Sequence, residues 1–119
     1  MRLSEELWVR CKRYASSVVC LYTSLPKQRK EVEVLGHQLL RSGTSVAAHC
    51  REASRARSTA ELCSKLDALL QEADESQLWL ELLQEDCRIA GEGIDFLLSE
   101  TNELIAIFVT IVSKSRKSE

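Results

Sequence analysis

Four stretches of this chain repeat apolar residues in steps of three and four, a rhythm that only an α-helix turns into a continuous face. In the first stretch the apolar side chains are Leu3, Leu7, Cys11, Tyr14, Val18, Leu21 and Leu25. A strand would need steps of two. The second stripe is Val32, Leu35, Leu39, Val46, Cys50 and Ala53. The third is Leu62, Leu66, Leu69, Ala73, Leu80, Leu83 and Cys87, with Ser76 in its one polar slot. The fourth is Leu97, Thr101, Leu104, Phe108 and Ile111. One proline and four glycines in 119 residues leave few turns, which argues against an all-β chain.

The breaks between stripes fix the helix ends. Ser4 is placed to cap the first helix, and Glu5 and Glu6 favour its positive end. Leu25-Pro26 stops it, because the residue before proline avoids the α region. Ser58-Thr59-Ala60-Glu61 reads as a capping box for the third helix. Gly91 and Gly93 mark the break before the fourth. The pattern predicts helices over about 4–24, 30–56, 59–87 and 95–114, and a frayed polar end over the last six residues. Short connections between long helices give an all-α, antiparallel up-down-up-down four-helix bundle. The length allows one domain, 1–119.

Two helices carry more than a core stripe. In the second, Gly36, Gly43, Ala47 and Ser54 lie beside the main stripe, and glycine costs a helix about 1 kcal/mol against alanine. Such a row predicts close approach of another helix. In the fourth, Leu98, Ile105, Val109 and Val112 form a second stripe, and Ile107 widens the arc on the other side. The apolar arc approaches ~200°, against the ≳100° of an ordinary surface helix. The excess predicts an oligomer.

Net charge is −2, but residues 1–58 hold 11 Lys/Arg and 5 Asp/Glu, while residues 59–113 hold 2 and 12. Opposite blocks attract, within a subunit or between neighbours. Five cysteines at irregular spacings are not a disulfide framework. On or beside apolar stripes they act as small hydrophobes. The opening residues lack a signal-peptide core, and the longest apolar run, Leu104 to Val112, is far short of the ~20 residues of a spanning helix. These features predict a reduced cytoplasmic protein outside the membrane.

The sequence offers little catalytic chemistry. Carboxylate-bridged metals in bundles need Glu-x-x-His, and Val34 and Val46 stand three residues before His37 and His49. No catalytic residue, cofactor or metal is expected. His49 reads as a half-buried group hydrogen-bonded to a neighbouring helix. Arg41, Arg51 and Arg55 share an arc of about 80° on the second helix, and Arg57 follows in the turn; arginine forks match phosphate geometry. This face is either a nucleic-acid interface or the partner of acidic groups such as Glu72 and Glu75. Trp8 with Tyr22, and Trp79 among carboxylates, lie off the core stripes and are candidates for an oligomer interface with Glu72, Glu75, Ile105, Ile107 and Val109.

Arg41-x3-Ser45-x3-His49-x2-Glu52, within Gln38–Ala53, resembles the second-helix motif of the bacterial rRNA intervening-sequence proteins, where asparagine is usual in place of His49. Leu66-x6-Ala73-x-Glu75-Ser76-x2-Trp79-Leu80 is similar to their third helix, and Glu100-x2-Glu103-Leu104 with the closing Ser-Lys-Ser-Arg-Lys to their last. The resemblance covers roughly residues 5–116. It implies a small antiparallel bundle assembling into pentameric rings, with no assigned biochemical role. A related branch of retroelement accessory proteins partners a reverse transcriptase and nucleic acid. The expectation is therefore a non-enzymatic, cyclic homo-oligomeric interaction protein, with a nucleic-acid-binding accessory factor as the alternative.

Overall fold

The computed structural model describes residues 2–118; Met1 and Glu119 lie outside the described residues. Four helices follow one another: α1 (Glu5–Ser24), α2 (Lys30–Ser54), α3 (Thr59–Glu85) and α4 (Glu92–Lys117). Cross-helix pairs give their directions. Arg10 of α1 meets Glu100 of α4 while Leu21 lies near Gly93, and Arg41 of α2 meets Glu75 of α3 while Glu52 meets Lys65. Neighbours therefore run antiparallel. α1 packs on α2, α2 on α3, α3 on α4, and α4 closes on α1 along the slimmest of the four seams. The result is a rod of 50 × 21 × 19 Å.

The caps form as their residues dictate. Ser4 accepts from the Leu7 N–H at 3.2 Å, and Ser58 from the Glu61 N–H at 3.1 Å. Among the described residues Glu61 makes no return bond, so the box is half built. Three helix ends differ from the periodicity. α2 stops at Ser54, because Arg55 leaves helical geometry to enter the turn before Ser58. α3 stops at Glu85: the chain unwinds with the Cys87 N–H bonded to Leu82 and the Ile89 N–H to Leu83, and Arg88 takes a φ of 63°. α4 starts at Glu92. Gly91, at φ 124°, makes the break alone, and Gly93 lies inside the first turn. The early start brings Ile94 into the core.

The far end of α4 also corrects the sequence reading. The helix continues to Lys117, Ser115 is buried, and Arg116 pairs with Asp67 of α3. The tail expected to fray is helical through Lys117 and turns at Ser118, while Glu119 lies outside the described residues.

Leucines from all four stripes fill the core, with Tyr14 and Phe108 its largest buried side chains. Cys11, Cys50, Cys63 and Cys87 are buried and reduced, whereas Cys20 is exposed. The Cys11 thiol is pushed up from its ordinary pKa by its bond to Cys50 and by burial. One layer of the core is polar. Tyr14 Oη lies 2.7 Å from Thr101 Oγ1, and Ser42 Oγ 2.7 Å from Ser76 Oγ. Each helix contributes one hydroxyl to this layer, and Tyr14 also interacts with Ser76.

Gly43 lies against Val18 of α1. A Cβ added there would come within 2.8 Å of Val18 Cγ2. The small row on α2 thus admits α1, as its composition predicts, and the group it admits is a β-branched side chain.

Candidate functional site

The basic face of α2 divides in two. Arg41 reaches across to α3 and pairs with Glu72 at 3.5 Å and Glu75 at 3.2 Å. Those carboxylates, expected at an oligomer interface, are thus neutralised within the chain. Arg51 and Arg55 lie about three and four turns further on, near the end of α2, where cations also suit the negative end of the helix. Among the described residues neither has an ion-pair partner. Arg57 is exposed in the following turn.

Arg51 and Arg55 converge on Trp8 of α1. A hollow of about 380 Å³ is lined by Trp8, Lys12, Ala47, Ala48, Arg51, Glu52 and Arg55. Ala47 and Ala48 are small, so the seam between α1 and α2 stays open beside the indole. An adjoining hollow of about 490 Å³ shares Trp8, Arg51 and Arg55 and adds Arg2, Leu3, Glu5 and Ser54. Four cations thus surround a half-buried tryptophan, against two carboxylates. Glu52 is already engaged: it holds His49 Nδ1 at 2.9 Å and Lys65 Nζ at 3.7 Å. The bond to His49, with the charge of Lys65, keeps the Glu52 carboxyl below its ordinary pKa. His49 therefore finds its partner on its own helix, one turn on, instead of on a neighbour.

Lys12 and Arg2 were not singled out by the sequence. Lys12 follows Trp8 by one helical turn and shares its face, so its place was legible; Arg2 precedes the helix and carried no such signal.

The other interface candidates scatter. Tyr22 lies at the opposite end of α1, with Lys27 Nζ 5.5 Å from its ring centre. Trp79 is half-buried on α3, its indole N–H buried and, among the described residues, without a partner. On α4, Ile105 and Ile107 are half-buried, whereas Val109 is exposed and lines a hollow between α3 and α4 with Asp67 and Leu70. α4 is also long and apolar enough to cross a membrane by length and composition, a property the short run Leu104–Val112 did not reveal. Among the described residues, no group of three or more His, Cys, Asp or Glu side chains is placed to hold a metal ion.

The comparisons with known proteins agree with this architecture. The model of the 23S rRNA-intervening sequence protein family matches residues 4–110. The chain is also similar to a crystal structure from Bacteroides thetaiotaomicron, described as a protein of unknown function from the S23 ribosomal protein family. That structure shares 33% identity over 90% of this chain and 95% of its own, with a TM-score of 0.80. Nothing among curated proteins matches the sequence. With the match extending over all but the ends and four helices in the same arrangement, the chain belongs to the 23S rRNA-intervening sequence protein family.

Proposed function

We propose that the protein is a non-enzymatic interaction module that works as a cyclic homo-oligomer in the cytoplasm. The observation that carries this reading is the apolar surface of α4. Only 33% of its most apolar 18-residue stretch is buried within the chain. Val109 is 50% exposed with Ile105 half-buried beside it on one flank of the helix, and Phe96 is 50% exposed with Ile107 and Ile111 half-buried on the other. Apolar surface left open on both flanks of a helix favours a partner, and a second copy of the same chain is the partner always present. The resemblance to ring-forming bundles favours five copies. Arg41, Glu72 and Glu75 satisfy one another within the subunit, so the contact between subunits is apolar in this reading and not the meeting of basic and acidic hairpins. Light scattering tests it: the wild type should exceed the 13.4 kDa of one chain. Ile105→Lys with Val109→Lys should return a helical monomer. A wild-type monomer at micromolar concentration, or partition of the wild type into detergent or lipid, would remove the proposal.

A second reading is favoured by Arg51 and Arg55, which have no acidic partner among the described residues and stand together at one end of the rod. In this reading they bind a polyanion such as nucleic acid, with Arg57 close by in the turn. Arg41 is not part of the set. Affinity should fall steeply with salt, because each phosphate contact releases counterions. Arg51→Gln with Arg55→Gln should abolish a low-salt gel shift while α-helical content is kept.

A further inference from the structure

We propose that the groove between the start of α1 and the end of α2 binds single-stranded nucleic acid, with a base stacked on Trp8 and phosphates held by Arg51, Arg55 and Lys12. The inference rests on the polyanion reading above and adds the strandedness of the ligand and the residue that reads it.

Three observations carry it. The two hollows adjoin along one seam and share Trp8, Arg51 and Arg55. Each is within the ~300–1,000 Å³ range of small-molecule sites, so together they suit consecutive units of a chain better than one compact ligand. The chemistry is paired: an indole beside two arginines and a lysine, none of which has an acidic partner among the described residues. Aromatic faces stack bases and arginine forks hold phosphates, and single strands are bound by this combination. Trp8 also lies in a recess between two helices. The bases of a duplex are stacked within it and reach no such recess, whereas an unpaired base can turn into it.

The overall acidity of the chain is not an obstacle at this place. Helices pack in the cyclic order α1, α2, α3, α4, so the outer α1–α2 face points away from the outer α3–α4 face. Most carboxylates lie on α3 and α4. Of the two acids at the groove, Glu52 is held by His49 and Lys65, and Glu5 lines only the adjoining hollow, which Arg2 also lines.

The test uses the full chain carrying Trp79→Phe, so that Trp8 alone reports. A short single-stranded RNA, the same RNA as a duplex, and oligo-glutamate are titrated at low salt, following tryptophan fluorescence and anisotropy of the labelled probe. The single strand should quench Trp8 and bind more tightly than the duplex. Trp8→Ala should weaken it about tenfold or more, and Trp8→Phe should recover most of that loss. Arg51→Gln with Arg55→Gln should lower the slope of log affinity against log salt by about 1.4. Trp8→Phe also guards against a folding artefact, since it keeps an aromatic ring in the seam. Equal binding of duplex and single strand without Trp8 quenching would overturn the stacking groove and leave the polyanion reading standing. Failure of both nucleic acids to bind would overturn both. Stronger quenching by oligo-glutamate than by RNA would assign the groove to an acidic protein segment and overturn the proposal.

Discussion

Two glycines on one face of α2 have different neighbours, and the difference decides what alanine would do at each. At Gly43 a new Cβ meets Val18 at Cγ2, Cγ1 and Cβ, within 2.8 to 3.2 Å. Valine in a helix has one strongly preferred rotamer, so it cannot turn aside. At Gly36 the nearest atom is Leu25 Cδ1, 2.7 Å away, the tip of a flexible side chain beyond the end of α1. Alanine gains about 1 kcal/mol of helix propensity at either position, and overpacking a tight contact costs about 1–3 kcal/mol. Gly43→Ala should therefore lower the denaturant midpoint, whereas Gly36→Ala should leave it unchanged or raise it. Equal effects would show that α1 yields at both places. A second residue-scale consequence concerns alkali. Burial raises the Tyr14 pKa, outweighing its bonds to Thr101 and Ser76. The unfolded phenol ionises near pH ~10; above that the unfolded chain sheds a proton the folded one keeps. Stability should be level below pH ~10 and fall above it, less steeply in Tyr14→Phe. Melting temperatures across this range would show it.

At the scale of the element, a helix is only as well defined as its ends. Ser58 satisfies the Glu61 amide at the start of α3, and Ser58→Ala should cost about 1 kcal/mol in chemical denaturation. A loss well beyond that would mean the turn between α2 and α3 depends on more than the cap. The helices and most of their buried faces were legible because the 4/3 rhythm reports directly on which side meets the core. The starts of α1 and α3 were legible because serine caps are local chemistry. The end of α3 was not: Arg88 adopts a positive φ that an arginine gives no reason to expect, and the paired glycines disguised which one broke the chain. The polar tail of α4 looked solvated because sequence cannot show that Asp67, some fifty positions earlier, lies waiting for Arg116. The same limit applies to the site. Arginines on one arc of α2 were visible as a set, yet only the placement of α3 assigns Arg41 to Glu72 and Glu75, and only the placement of α1 brings Trp8 to Arg51 and Arg55.

Across the whole molecule, leucine stripes supply most of the burial but do little to tell one turn from the next. The hydroxyl layer of Tyr14, Ser42, Ser76 and Thr101 differs, because its bonds exist at one height only. Tyr14→Phe and Thr101→Val should each destabilise, the valine also losing the bond from Thr101 Oγ1 to the Leu97 carbonyl. The double variant should cost less than the two losses added, by about 0.5–3 kcal/mol, as expected when two groups share one interaction. Strict additivity in a double-mutant cycle would mean that the bond contributes nothing to the folded state. Helices that slid past one another by a turn could still bury leucine against leucine, but would strand the Tyr14 hydroxyl in a dry interior and break the bond between Ser42 and Ser76, leaving Ser42, Ser76 and Thr101 only the carbonyls of their own helices. The layer thus acts as a vernier for the bundle: it makes slipped alignments unfavourable without contributing to a binding surface. Related sequences could exchange their leucines freely, but should change these four positions together, as the teeth of a key change with its lock.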